Sequence, residues 1–434
     1  GKAGRIGSKL MAIVLQGNKE RVYLSPTAEH ESAAKTEIPV WKADIPLPNN
    51  PRDFKTPNYG LLTHGELFSQ RQMFALDTFS DLTFELHKLI LEDAEKVNFS
   101  RDRTPLSQGG LGAIAYADAI KVYLSLAIGK GSDYWSSICT WHNSRQIIRN
   151  TFGRQAIPMT WDYAEANPFS NSTGNWSACL AWGWKVLQSV PTNKGSKIFQ
   201  KDALAIEHEE QSVLFCTDPP YYDNISYAEL SDYFYIWMKR NLSDIYPELF
   251  TTLLTPKMNE LVAFSHLHDS KKDAENFFLD GMKDVIQRMA TQNNPESPVC
   301  FFYAFKQQES GTDGTSSTGW STFLEATISS GFNIVGTIPM RTEQSTKLLG
   351  KNANILSTSA VLVCRQRTQD APTTRRTEFL RELRQVLEPA MKNLQEGGIS
   401  PVDLAQAAIG PGIGVFSKYS EILEADGSHM SVRR

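Results

Sequence analysis

No stretch of this 434-residue chain approaches the roughly 20 consecutive apolar residues of a membrane-spanning helix. Residues 1–25 also lack the charged-then-apolar pattern of a secretory leader. A membrane helix is thereby excluded and a cytoplasmic protein expected. Cysteine is scarce: Cys139, Cys179, Cys216, Cys300 and Cys364 are scattered, with no Cys-x-x-Cys pair. That removes a thiolate zinc site, leaves no metal site to expect, and makes buried, reduced thiols the natural reading. An excess of one charge is missing too, with 44 Lys and Arg against 48 Asp and Glu and a net charge of −4. A uniformly basic nucleic-acid binder is excluded, while basic patches within an acidic whole are not. There is no internal repeat and no low-complexity tract. The chain opens on Gly1 rather than methionine, and is expected to be part of something longer.

What is present is ample apolar material, 41% of residues hydrophobic and 10% aromatic, enough for one large core or two ordinary ones. A hairpin is expected from Leu10–Leu15 and Arg21–Leu24, and the proline-rich stretch 26–66 reads as extended loop. Phe79, Leu82, Leu86, Leu89 and Ile90 make one stripe of a helix over 68–97, and further helices fit 111–128 and 133–151. Residues 1–160 are therefore expected to form a mainly helical accessory region.

After Trp161 helices alternate with short apolar strands, the pattern of an α/β sheet. Helices are predicted over 175–190, 227–242, 272–290 and 318–331, and strands over 197–203, 212–217, 298–305, 332–340 and 357–365. The last two strands have no helix between them. They predict an antiparallel closing strand on a mostly parallel sheet. The catalytic domain would span 161–370, followed by a helical tail over 371–434.

One motif carries chemistry. The run Val213-Leu214-Phe215-Cys216 suits a buried strand, and Asp218-Pro219-Pro220-Tyr221 ends it abruptly. In an open α/β sheet the working crevice lies beyond the carboxyl ends of the strands. A carboxylate and a backbone carbonyl there can each accept one hydrogen from an exocyclic amine, drawing its delocalised lone pair towards tetrahedral geometry. Consecutive prolines fix φ and so hold the Pro219 carbonyl, and Tyr221 offers a face for an extruded base. A plain strand-ending turn is the bland alternative. A Pro-Pro-x-Tyr ligand for a WW domain is a second, but it needs an accessible, disordered peptide.

These residues resemble the catalytic motif of S-adenosylmethionine-dependent amino-methyltransferases acting on DNA. With "NTFGRQAIPMTWDYAEANPFSNSTGNW", "STGW", "PMRTE" and "AQAAIGPGIGVFSKYS", the chain is similar over nearly its whole length to one family: the large bacterial and archaeal adenine-specific DNA methylases described as containing a zinc ribbon. The resemblance implies a Rossmann-like class I methyltransferase fold, S-adenosylmethionine as cofactor, DNA as partner and adenine N6 as target. Cytosine N4 methylation, or an inactive DNA-binding or assembly subunit alongside defence-system proteins, are the alternatives. Asp218, Pro219, Pro220 and Tyr221 would be the catalytic residues. In the family the main cofactor loop and the zinc ribbon lie upstream of the segment matching residue 1, so the resemblance implies that the catalytic domain here is incomplete and lacks part of its cofactor site. Within this chain, Asn167, Phe169 and Gly174 of "NPFSNSTGNW" mimic that loop, and Asp202 matches the acidic position near the cofactor adenine, with a helix N-cap as its other reading. "GPGIG" (410–414) reads as a turn between helices. Lys257 and Arg341 lie in family-like motifs without a derived role. Arg145, Arg149 and Arg154 are candidates for phosphate contacts on a helix.

Overall fold

Two short strands close the expected hairpin at the start of the chain, β1 (Ile13–Gln16) antiparallel to β2 (Arg21–Leu24). The computed structural model describes residues 1–4, 6–18, 20–97, 99–100, 102–190, 197–207, 213–303, 318–341, 358–396 and 410–432. Its contacts divide the chain into two units: Gly1–Ile198 with Ser226–Asn259, and Phe199–Ile225 with Glu260–Arg434.

In the first unit a short helix α1 (Ala28–Ala33) precedes α2 (Gln70–Lys96), which Ser69 and Gln72 start with reciprocal side-chain bonds. The predicted apolar stripe of α2 is only partly inward: Leu82, Leu86 and Leu89 are exposed, Ile90 is half-buried, and half-buried Phe79 packs on Trp135 and Trp176, while Met73, Leu76, Asp77, Ser80 and Thr83 are buried. Arg240, from a distant helix, pairs with Asp77 and Asp81, which gives the buried Asp77 a charged partner. α3 (Ala113–Ser132) packs on α2. The helix expected over 133–151 does not form; the segment makes an antiparallel hairpin, β3 (Thr140–His142) with β4 (Ile147–Arg149). Asp133 closes it, its carboxylate accepting from the Phe152 N–H and the Asn150 amide, while Gln146 turns the chain with φ of 51°. Arg145, Arg149 and Arg154 are thus exposed on and beside a hairpin, not on a helix.

α4 (Trp176–Ser189) and α5 (Tyr227–Leu242) complete the first unit, close to the predicted bounds. α5 is buried on most of its circumference. Phe68 stacks on Tyr233 at 5.6 Å and meets Trp237 edge-on, and the Tyr233 hydroxyl donates to the Ser132 carbonyl at 2.7 Å. The proline-rich loop is tied to the same helix: Ser226 donates to Asp53 at 2.8 Å, and Asn50 donates to Glu229.

The second unit holds a four-stranded sheet of order β5-β6-β8-β7, from β5 (Cys216–Thr217), β6 (Val299–Tyr303), β7 (Phe332–Arg341) and β8 (Thr358–Gln366). β5 runs parallel to β6, and β8 runs antiparallel to both β6 and β7. Three strands therefore point one way. The predicted antiparallel pair of the last two strands forms, β8 against β7, but the reversed strand lies between β6 and β7 rather than at the edge, with Ala360, Leu362 and Cys364 buried. Of the other three predicted strands, 298–305 forms as β6, with residues 304 and 305 outside the described residues, and two differ. Of 212–217 only Cys216–Thr217 is strand, with a single bridge at Val213; residue 212 lies outside the described residues. Residues 197–203 form no strand, and Ile198 and Phe199 are exposed rather than sheet-buried.

α6 (Lys271–Gln292) and α7 (Thr318–Ser329) pack on the sheet with Phe278, Met282, Ile286, Phe323 and Leu324 against Phe301 and Tyr303. β9 (Thr373–Arg375) leads into α8 (Arg376–Glu396) and pairs in parallel with β10 (Glu421–Leu423). "GPGIG" is not a turn: residues 410–417 are helical, and Ser417 there accepts the Ile334 N–H while Gly414 lies against the Ile334 carbonyl. Among the described residues no helix is long and apolar enough to cross a membrane. The five cysteines are free, but Cys216 is exposed and Cys300 half-buried, since β5 has only one described strand partner.

Candidate active site

Asp218 emerges directly from the carboxyl end of β5, whose register sets Cys216 beside Cys300 and Thr217 beside Phe301 of β6. Burial and the adjoining Cys216 thiol push Cys300 up from the usual thiol range. Asp218 is exposed, whereas Pro219, Pro220 and Tyr221 are half-buried. The peptide bonds ahead of both prolines are trans.

After Pro220 the chain reverses. The Tyr222 N–H donates to the Pro220 carbonyl at 3.1 Å and the Asn224 N–H to the Tyr221 carbonyl at 2.9 Å. That reversal brings the Tyr221 hydroxyl back onto Asp218, donating to Oδ1 at 2.6 Å. A charge-assisted bond of this kind orients the carboxylate as well as solvating it. The Tyr221 ring meets Tyr303 of β6 edge-on at 5.3 Å, and Tyr303 in turn stacks on Phe323 at 4.4 Å. An aromatic row thus runs from the sheet core to the motif.

Tyr222 is the conformational oddity. Its φ is +48°, a left-handed setting that costs a residue other than glycine on the order of 1–3 kcal/mol. The surroundings hold it there: its ring is buried edge-on to Phe278 at 5.2 Å, and its carbonyl accepts the Ala263 N–H at 3.0 Å. Sequence reasoning singled out Tyr221 and passed over Tyr222. Only the tyrosine doublet hinted at it.

The residues expected to hold the cofactor have other work. Asp202 caps its own short 3-10 turn, accepting the Leu204 N–H at 2.9 Å. Asn167 accepts the Phe169 N–H within a turn, and the Phe169 ring is exposed beside Phe79. Gly174 has φ of +86°, has Tyr134 against its Cα, and gives its carbonyl to the Trp135 indole at 2.7 Å. These are jobs in chain reversal at the start of α4. Asn167, Phe169 and Gly174 belong to the first unit and Asp202 to the second, alongside Asp218–Tyr221.

Two other candidates resolve in part. Lys257 pairs with the fully buried Asp232 of α5 at 2.6 Å, and Thr255 donates to the same carboxylate. Arg341 ends β7, which also holds Pro339 and Met340 of the "PMRTE" motif, and residues 342 and 343 lie outside the described residues. Comparison with protein-family models, curated proteins and solved structures finds no match to this chain.

Proposed function

We propose that the chain is a DNA amino-methyltransferase of the Rossmann-like class I fold, with adenine N6 as the acceptor and S-adenosylmethionine as the methyl donor. The observation that carries the reading is the Asp218–Tyr221 hydrogen bond at the carboxyl end of β5, on a sheet with one reversed strand among three that share a direction. A carboxylate held by a neighbouring hydroxyl, next to a carbonyl fixed between prolines, is matched to an amine that must become tetrahedral.

The steps open to the described residues lie on the amine side. Asp218 accepts one amino hydrogen and Pro219 the other, so positive charge growing on nitrogen meets a carboxylate and a dipole already in place. Tyr221 fixes one oxygen of Asp218 and presents aromatic surface to a base swung out of its stack. The proton released after transfer passes to Asp218 or to water.

The test is transfer of labelled methyl from S-adenosylmethionine to duplex DNA of mixed sequence by the full chain, with the product nucleoside identified by mass. N6-methyldeoxyadenosine is the expected product. N4-methyldeoxycytidine would move the acceptor to cytosine, and absence of label with DNA still bound would replace the reading with a subunit lacking turnover.

A further inference from the structure

We infer that Gly319, in the first turn of α7, is a positioning residue for the amine site. The inference rests on the reading above and extends it to a residue outside the Asp-Pro-Pro-Tyr motif. A Cβ built on Gly319 would sit 2.7 Å from the Cβ of Tyr222 and 2.9 Å from the first carbon of its ring. Real side chains do not approach so closely, so alanine at 319 forces one partner to move. α7 is poorly placed to yield, because Trp320 and Phe323, on the same helix, are buried against Tyr303. Tyr222 is the weaker partner, already held in a left-handed conformation by Phe278 and the Ala263 N–H.

The displacement has a defined route to the chemistry. Tyr222 closes the turn centred on Tyr221, its N–H donating to the Pro220 carbonyl, and the Tyr221 hydroxyl meets Asp218 from within that turn. Movement at 222 shifts Tyr221 and loosens the carboxylate it orients. Glycine within a helix is normally unfavourable relative to alanine. At 319 the missing side chain instead makes room for Tyr222, which gives the "TGW" part of the sequence a physical purpose.

A double-mutant cycle in the full chain tests this, using Gly319→Ala, Tyr222→Gly and the pair, with methyl transfer and urea unfolding as separate readouts. Gly319→Ala is expected to lower kcat on the order of 10²-fold, with a much smaller change in KM for S-adenosylmethionine. Tyr222→Gly removes the opposing side chain, so the pair should turn over within about threefold of Tyr222→Gly alone. Wild-type kcat in Gly319→Ala, or a pair whose loss is the product of the two single losses, overturns the inference. If the unfolding cycle shows the coupling but the unmutated chain transfers methyl to no DNA amine, the contact stands while the functional reading fails, and the positioning role fails with it.

Discussion

Tyr221 does two things at once, and they are separable by chemistry. Replacing it with phenylalanine keeps the ring on Tyr303 but removes the donor to Asp218 Oδ1. Loss of one hydrogen bond to a charged group predicts about a tenfold fall in kcat for Tyr221→Phe. Tyr221→Ala, which also loses the stacking surface, should fall further in single-turnover methylation. A second residue-scale prediction concerns His64, fully buried, with Nδ1 at 3.0 Å from the Ile45 carbonyl. Burial pulls its pKa below 6.5 and Lys257 adds to the effect, opposed by the Ile45 bond and by Asp232. Below pH 6.5 the unfolded chain then takes up a proton that the folded chain refuses, so stability is lost as pH falls through that value. Asp53 titrates elsewhere: burial alone would raise it, but bonds from Arg52, Ser226 and Asn50 hold it below the usual carboxylate value of 3.8. Urea unfolding between pH 7 and pH 5 should therefore show a slope that His64→Gln flattens.

Among the elements, α5 gathers the most consequential partners. Asp232 is fully buried and depends on Lys257 and Thr255. Lys257→Met strands that carboxylate, and the expected loss is about 3 kcal/mol in urea unfolding, with Asp232→Asn in the same chain recovering most of it. This role was invisible in the sequence, where Lys257 is one cation among many. Helices were the legible part of the fold. The spacings behind α5, α6 and α7 are local, and their bounds lie within a few residues of the predicted ones. Facing was less legible, because the buried side of α2 includes Asp77, whose partner Arg240 comes from far along the chain. Strand extent and order escaped for the same reason: β5 is shortened and β8 is seated between β6 and β7 by partners that periodicity does not contain. The site divides likewise. Asp218–Tyr221 was readable as four adjacent residues, whereas the left-handed Tyr222 and its need for Gly319 arise from a contact between distant segments.

At the scale of the whole molecule the chain passes between its two units three times, and the loop that begins at Asp218 ends at Ser226, the first residue of a returning segment of the other unit. Asp218–Tyr221 thus lie on the last stretch before that crossing. With a net charge of −4, any phosphate contact under the proposed function falls to local basic groups, such as the exposed Arg145, Arg149 and Arg154. The central claim, that Asp218 activates an exocyclic amine, is tested most directly by comparing unmutated chain with Asp218→Ala in transfer of labelled methyl from S-adenosylmethionine to adenine-containing duplex DNA. Asp218 is exposed, so the substitution leaves the core intact. The account predicts transfer by the unmutated chain and a loss on the order of 10²-fold or more in the variant, with unchanged thermal unfolding. Equal transfer by the two proteins, or none by either, would contradict it.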